Sequence, residues 1–140
     1  MLGHHTSSMN LTTLVRTTLW ITVPANLTAA IMLAFPTTQL GQLIELPQQS
    51  YSLYTLLAGS LVGLFGLAYA WLAKQKTINR PMLLVGACGK TAAVLISVVL
   101  FAMGQLSGVA TTVISGDLIF ATIWFIWLYR GMQQPHPGDG

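Results

Sequence analysis

The chain has 140 residues, of which 54% are hydrophobic and 6% charged, with a mean hydropathy of +0.68. Soluble domains carry roughly 25% charged residues, so this composition cannot cover a globular surface with polar groups and lipid has to do the covering. Six Lys and Arg stand against three Asp and Glu, and the basic residues sit at the ends of apolar runs, a pattern that belongs to membranes and excludes a nucleic-acid face.

A spanning helix needs about 20 mostly apolar residues at about 1.5 Å each. The first run that qualifies is Leu14 to Phe35. It is preceded by a stretch, 1–13, read as flexible, and it lacks the small-residue cleavage site of a signal peptide. A loop from Pro36 to Tyr51 follows. Its Leu40, Leu43, Ile44 and Pro47 fit either one short amphipathic turn on the membrane surface or a plain loop, and Glu45 reads as a solvated charge.

The second run is Ser52 to Ala73, and a basic turn, Lys74 to Arg80 (KQKTINR), leads into the third, Pro81 to Gly104. Pro81 suits the first turn of a helix, where its missing N–H costs nothing. A tight turn at Gln105 to Ser107 opens the fourth run, Gly108 to Tyr129, and the Pro/Gly-rich tail 131–140 is expected to be disordered. The fold class this predicts is all-α: a single antiparallel four-helix membrane bundle over 14–130. Arg16, Lys74, Lys76, Arg80 and Arg130 then fall on one side, which the positive-inside rule makes cytoplasmic, with both termini. Trp71, Trp127 and Tyr129 are expected at that interface, and Tyr51 and Tyr54 at the opposite one.

Two groups of residues stand out inside these runs. In the second, Gly59, Gly63, Gly66 and Ala70 form one stripe of small side chains, which reads as a helix-packing groove or as the wall of a pocket for a lipid tail or a quinone. In the third and fourth, Lys90 and Asp117 are charges far from either end. Helical rise puts Lys90 about 13 Å and Asp117 about 19 Å from the cytoplasmic boundary, close enough in depth to meet. A lysine at such a depth costs about 2.5 to 3.5 kcal/mol, so it needs a partner. Asn26, about 18 Å deep in the first run beside Thr22 and Pro24, is a third candidate member. Because side chains lean toward their own helix N-terminus, a water or third group between Lys90 and Asp117 is the expected arrangement. Gly86, Lys90, Ala93 and Ser97 share the face expected to turn inward, while Leu84, Leu95 and Val98 point elsewhere. The cluster reads either as structural glue that fixes helix register or as a proton or ligand site.

Catalytic groups are not found. Cys88 is the lone cysteine, which rules out a disulfide framework, a Cys-x-x-Cys redox pair and a thiolate metal site. His4, His5 and His136 lie in the polar ends, away from any haem or metal geometry in the helices. Serines have no base to activate them. No cofactor is expected.

The segments GKTAAVL (Gly89 to Leu95) and GDLIFATIWFIWL (Gly116 to Leu128) resemble a pattern in small bacterial four-helix membrane proteins, loosely similar to the DoxX-like group. The resemblance covers the second to fourth runs, and Lys90 and Asp117 match it residue by residue. It implies an accessory role beside membrane redox complexes. Unlike typical DoxX-like members, this chain has no acidic residue in its Gly-rich second run. The expected setting is a bacterial inner membrane, the expected partners are the bilayer and a second copy or a larger membrane complex, and no nucleic acid is involved. The ranked readings are a non-catalytic accessory or oligomer-forming component, a small proton-coupled transporter or channel working through Lys90 and Asp117, and a quinone- or lipid-binding protein.

Overall fold

The computed structural model of the chain describes residues 3–48 and 52–132, and all regular structure among them is helical. The elements are α1 (Gly3–Ala34), α2 (Gln39–Leu43), α3 (Ser52–Lys74), α4 (Arg80–Ala102), α5 (Gly108–Ser115) and α6 (Asp117–Met132). Four stretches are long and apolar enough to cross a membrane: Leu11–Ala34, Ser52–Lys74, Arg80–Ala102 and Gly108–Gly131. These match the four runs of the sequence, and the chain is that of a multi-pass membrane protein.

Two boundaries differ from the expectation, and between them one segment that the sequence left open takes one of its two forms. The first helix begins at Gly3 rather than Leu14, because nothing between the two residues is a proline and a polar stretch can extend a helix that lipid has already nucleated. The segment after Pro36 resolves in favour of a turn of helix: Thr38 caps α2 by accepting from the Gly41 N–H, and Gly41 lies so close to the Pro36 carbonyl that no side chain would fit. The fourth run is broken in two. At Gly116 the regular ladder tightens, the Gly116 N–H donating to the Val113 carbonyl at 3.2 Å and the Ile119 N–H to the Gly116 carbonyl at 3.2 Å. Glycine is the weakest helix former after proline, so the break falls there. Tyr51 and the tail from residue 133 lie outside the described residues.

Two pairs of long helices organise the molecule. α1 lies along the whole of α3: the Arg16 guanidinium reaches the Ala73 carbonyl at one end, and Gly59 faces Ala30 and Ala34 at the other. α4 lies along α6 and then α5, from Arg80 beside Gly131 to Phe101 beside Gly108. The pairs meet through α1 and α6, and more sparsely through α3 and α4. Among the described residues α5 touches only α4 and α6. The apolar core is therefore confined to the end that carries the Lys74 to Arg80 turn, the basic end. There Val15, Leu19, Tyr69, Leu72, Leu83 and Ala87 surround the fully buried Trp124. At the opposite end the two pairs stand apart.

Candidate functional site

α4 presents Leu83, Gly86, Ala87, Lys90, Val94 and Ser97 to the interior. Leu84, Leu95 and Val98 point outward as expected, but so does Ala93. The inward face drifts from Lys90 to Val94, the i+4 position, because four residues over-rotate a 3.6-residue turn less than three under-rotate it.

Lys90, 4% exposed, sits where the core ends, and its ammonium donates to Asp117 Oδ1 at 2.7 Å. It also donates to Asn26 Oδ1 at 3.3 Å. The direct contact replaces the expected water or intervening group: Asn26 joins beside the pair rather than between its members. The lysine stem spans the difference in depth, and the break at Gly116 makes Asp117 the first residue of α6, where the helix dipole favours a carboxylate. Aromatic faces complete the shell, with Tyr69 at 5.7 Å and Phe120 at 5.6 Å from Lys90 Nζ, distances at which ring quadrupoles attract a cation. Asn26 is tied down in turn, its Nδ2 donating to the Val62 carbonyl at 3.3 Å. Among the described residues no buried side-chain polar atom lacks a hydrogen-bond partner. Asp117 differs from Lys90 in one respect: 32% of its side chain is exposed.

The small-residue stripe of α3 is covered by α1 rather than open. A Cβ on Gly59 would stand 2.6 Å from the Ala30 carbonyl oxygen, and one on Gly66 would stand 3.2 Å from the Asn26 Cβ. Gly63 is looser, its nearest neighbour the Ala30 Cβ at 3.5 Å, and Ala70 is half-buried on α3. The open groove lies elsewhere, between α3 and α4, lined by Phe65, Ala68, Tyr69, Met82 and Val85.

Comparison with known families, characterised proteins and solved structures finds no match for this chain. The site is therefore read from its own geometry. Among the described residues no group of three His, Cys, Asp or Glu side chains could hold a metal. Cys88 is exposed on the outer face of α4.

Three residues escaped the reading of the sequence. Trp124 buries its ring completely and donates from Nε1 to the Thr18 hydroxyl at 2.9 Å. Trp127, expected at the interface as an amphipathic ring, donates to the Thr12 hydroxyl at 3.0 Å and lies under the Arg80 guanidinium. Arg16, counted only as a topology-setting charge, donates to the Ala73 and Lys76 carbonyls at 2.7 and 2.6 Å. It thereby closes the C-terminus of α3, whose last carbonyls have no helical donor. The signal for Arg16 was its position, since a lone arginine several residues inside an otherwise apolar helix must find acceptors.

Proposed function

We propose that the protein is a non-catalytic, oligomer-forming or accessory component of a bacterial inner membrane. In this reading it is an antiparallel four-helix bundle with both ends in the cytoplasm, and its Lys90, Asp117 and Asn26 cluster holds the helices in register. The observation that carries it is the enclosure of Lys90. Two of the three ammonium donors are taken by the side chains of Asp117 and Asn26, two aromatic faces flank the charge, and only 4% of the side chain is exposed. Antiparallel packing is supported by the pairing of α1 and α6, where Thr12 meets Trp127 and Thr18 meets Trp124. Orientation rests on the basic residues gathered at one end. The DoxX-like resemblance favours a membrane redox complex as the setting, which co-purification from native membrane tests directly.

The decisive experiment is a double-mutant cycle on folded protein in detergent. Removing one partner leaves an uncompensated buried charge, so Lys90→Met and Asp117→Leu should each cost about 3 to 5 kcal/mol, and the double variant far less than their sum. Additive losses would end the register role. A reporter after Gly140 and another within the Lys74 to Arg80 turn should both read cytoplasm, and a periplasmic signal from either would overturn the orientation.

One observation favours a second reading, a small proton-coupled transporter. Asp117 keeps a third of its side chain exposed at a helix break, and intramembrane carboxylates in such positions serve proton relays. The double variant separates the two: a folded bundle that still assembles supports the structural role, whereas a folded bundle in reconstituted vesicles that loses proton flux present in the native protein supports transport.

A further inference from the structure

The groove between α3 and α4 is distinct from the small-residue stripe and meets the polar cluster only at Tyr69. α3 and α4 approach each other only sparsely although the chain joins them directly, and the space between them amounts to about 370 Å³. That is within the range of about 300 to 1,000 Å³ typical of ligand sites. Phe65, Ala68, Met82 and Val85 make its walls apolar, and Tyr69 closes it toward the core. One turn beyond Val85, a Cβ on Gly89 would meet no atom within 4 Å, so nothing stops a chain that runs on toward the bilayer centre.

The mouth of the groove has the opposite chemistry. Asn79, in the connection, and Pro81, in the first turn of α4, line it, and the stretch Lys74 to Arg80 that leads to them carries three basic residues and no acidic one. Asn79 is the cap of α4, its side chain accepting from the Met82 N–H, so the positive end of a 23-residue helix dipole also lies here. Arg80 is engaged over Trp127, while Lys74 and Lys76 are exposed side chains. The lining itself carries no charge, but the exposed Lys74 and Lys76 precede Asn79 in the same short turn, so an apolar slot with basic residues next to its mouth is complementary to a lipid with an anionic head, as basic pockets between spanning helices are.

We propose that the α3–α4 groove binds an anionic phospholipid, one acyl chain lying between Phe65 and Val85 and the phosphate held at the Lys74 to Arg80 turn. The inference rests on the membrane-spanning reading but not on its orientation or on the role of Lys90, because lipid discs present the same composition on both faces.

The test is native mass spectrometry of the full chain released from discs of equimolar phosphatidylglycerol and phosphatidylcholine. The unaltered protein should retain phosphatidylglycerol in preference, and each of Lys74→Gln and Lys76→Gln should lower that preference about fivefold. Val85→Trp, at a position already 58% exposed and so tolerant of bulk, should abolish retention of either lipid while helicity and the size of the particle stay unchanged. Ala68→Phe fills the same space from α3 and should act alike. Ile119→Trp, on the lipid-facing side of α6, should change nothing. Retention without headgroup preference, or a preference that survives both Val85→Trp and Ala68→Phe, would overturn the proposal. So would a dimer of the native chain that Val85→Trp dissociates, which would make a second copy the occupant, or retention of an uncharged quinone in place of phospholipid. Failure of the register role would appear instead as additivity in the Lys90 and Asp117 cycle.

Discussion

The two ends of the bundle are held by different physics. At the basic end four helices close on Trp124, Leu19, Leu72 and Leu83, and the contacts there include indole donors, the Arg16 cap and edge-to-face rings, with Tyr69 and Trp124 centroids 5.1 Å apart. At the other end each pair is held only within itself, α1 to α3 through Gly59, Ala30 and Ala34, and α4 to α5 through the buried Ala110. Lipid gives helices no hydrophobic reason to associate, so interhelical attraction has to come from close van der Waals contact and from polar groups. Large interlocking rings supply it at one end and bare backbone proximity at the other. The polar cluster stands on the border, and it is the last feature that ties one pair to the other.

The comparison can be broken most forcefully at Trp124. Trp124→Ala should cost about 3 to 5 kcal/mol through cavity formation and leave the Thr18 hydroxyl short of its donor, measured as the shift in a detergent or steric-trapping unfolding curve. Phe101→Ala, at the opposite end and exposed, should cost no more than about 0.5 kcal/mol. Equal losses from the two would erase the distinction between the ends. Next in size is Arg16→Gln, which gives up two charge-assisted bonds at about 1.5 to 3 kcal/mol each at most and should loosen α3 specifically near Ala73, visible as faster amide exchange there. The glycine contacts sharpen the picture further. Gly59→Ala has to push backbone aside and should cost about 1 to 3 kcal/mol, whereas Gly63→Ala meets only the Ala30 methyl at ordinary distance and should be close to neutral. Amide exchange across the whole chain gives the smallest and broadest contrast: Leu83 to Ala87 should be protected longer than Val94 to Val98 on the same helix.

Much of this was legible in the sequence, for reasons that particular residues make clear. The four spans could be read because the hydrocarbon layer imposes length and apolarity on every residue in turn. Lys90 and Asp117 could be paired because helical rise converts chain position into depth, and the cost of an unpaired charge does the rest. Depth says nothing about azimuth, however, and the outward turn of Ala93 needed the neighbouring helix to be seen. Trp124 was hidden by its surroundings. In FATIWFIW two tryptophans three residues apart both fit an interfacial belt, and only packing tells the buried ring from its neighbour. Arg16 was hidden by a rule that already explained it, since a charge assigned to the cytoplasm by the positive-inside rule has no further need of a role. Gly116 was hidden by abundance, because glycine inside spanning helices is common and usually leaves them unbroken.

The ion pair between Lys90 and Asp117 also dictates an order of birth. The residues are 27 positions apart in the chain, and at about 5 to 20 residues per second the lysine leaves the ribosome seconds before its carboxylate exists. During that interval α4 carries a lone ammonium toward the hydrocarbon, and of its eventual partners Asn26 and the Tyr69 ring have already been made, but no anion has. The helix should therefore wait at the insertion machinery until α5 and the start of α6 follow, so that the last two spans enter the bilayer as one hairpin with the charge already matched.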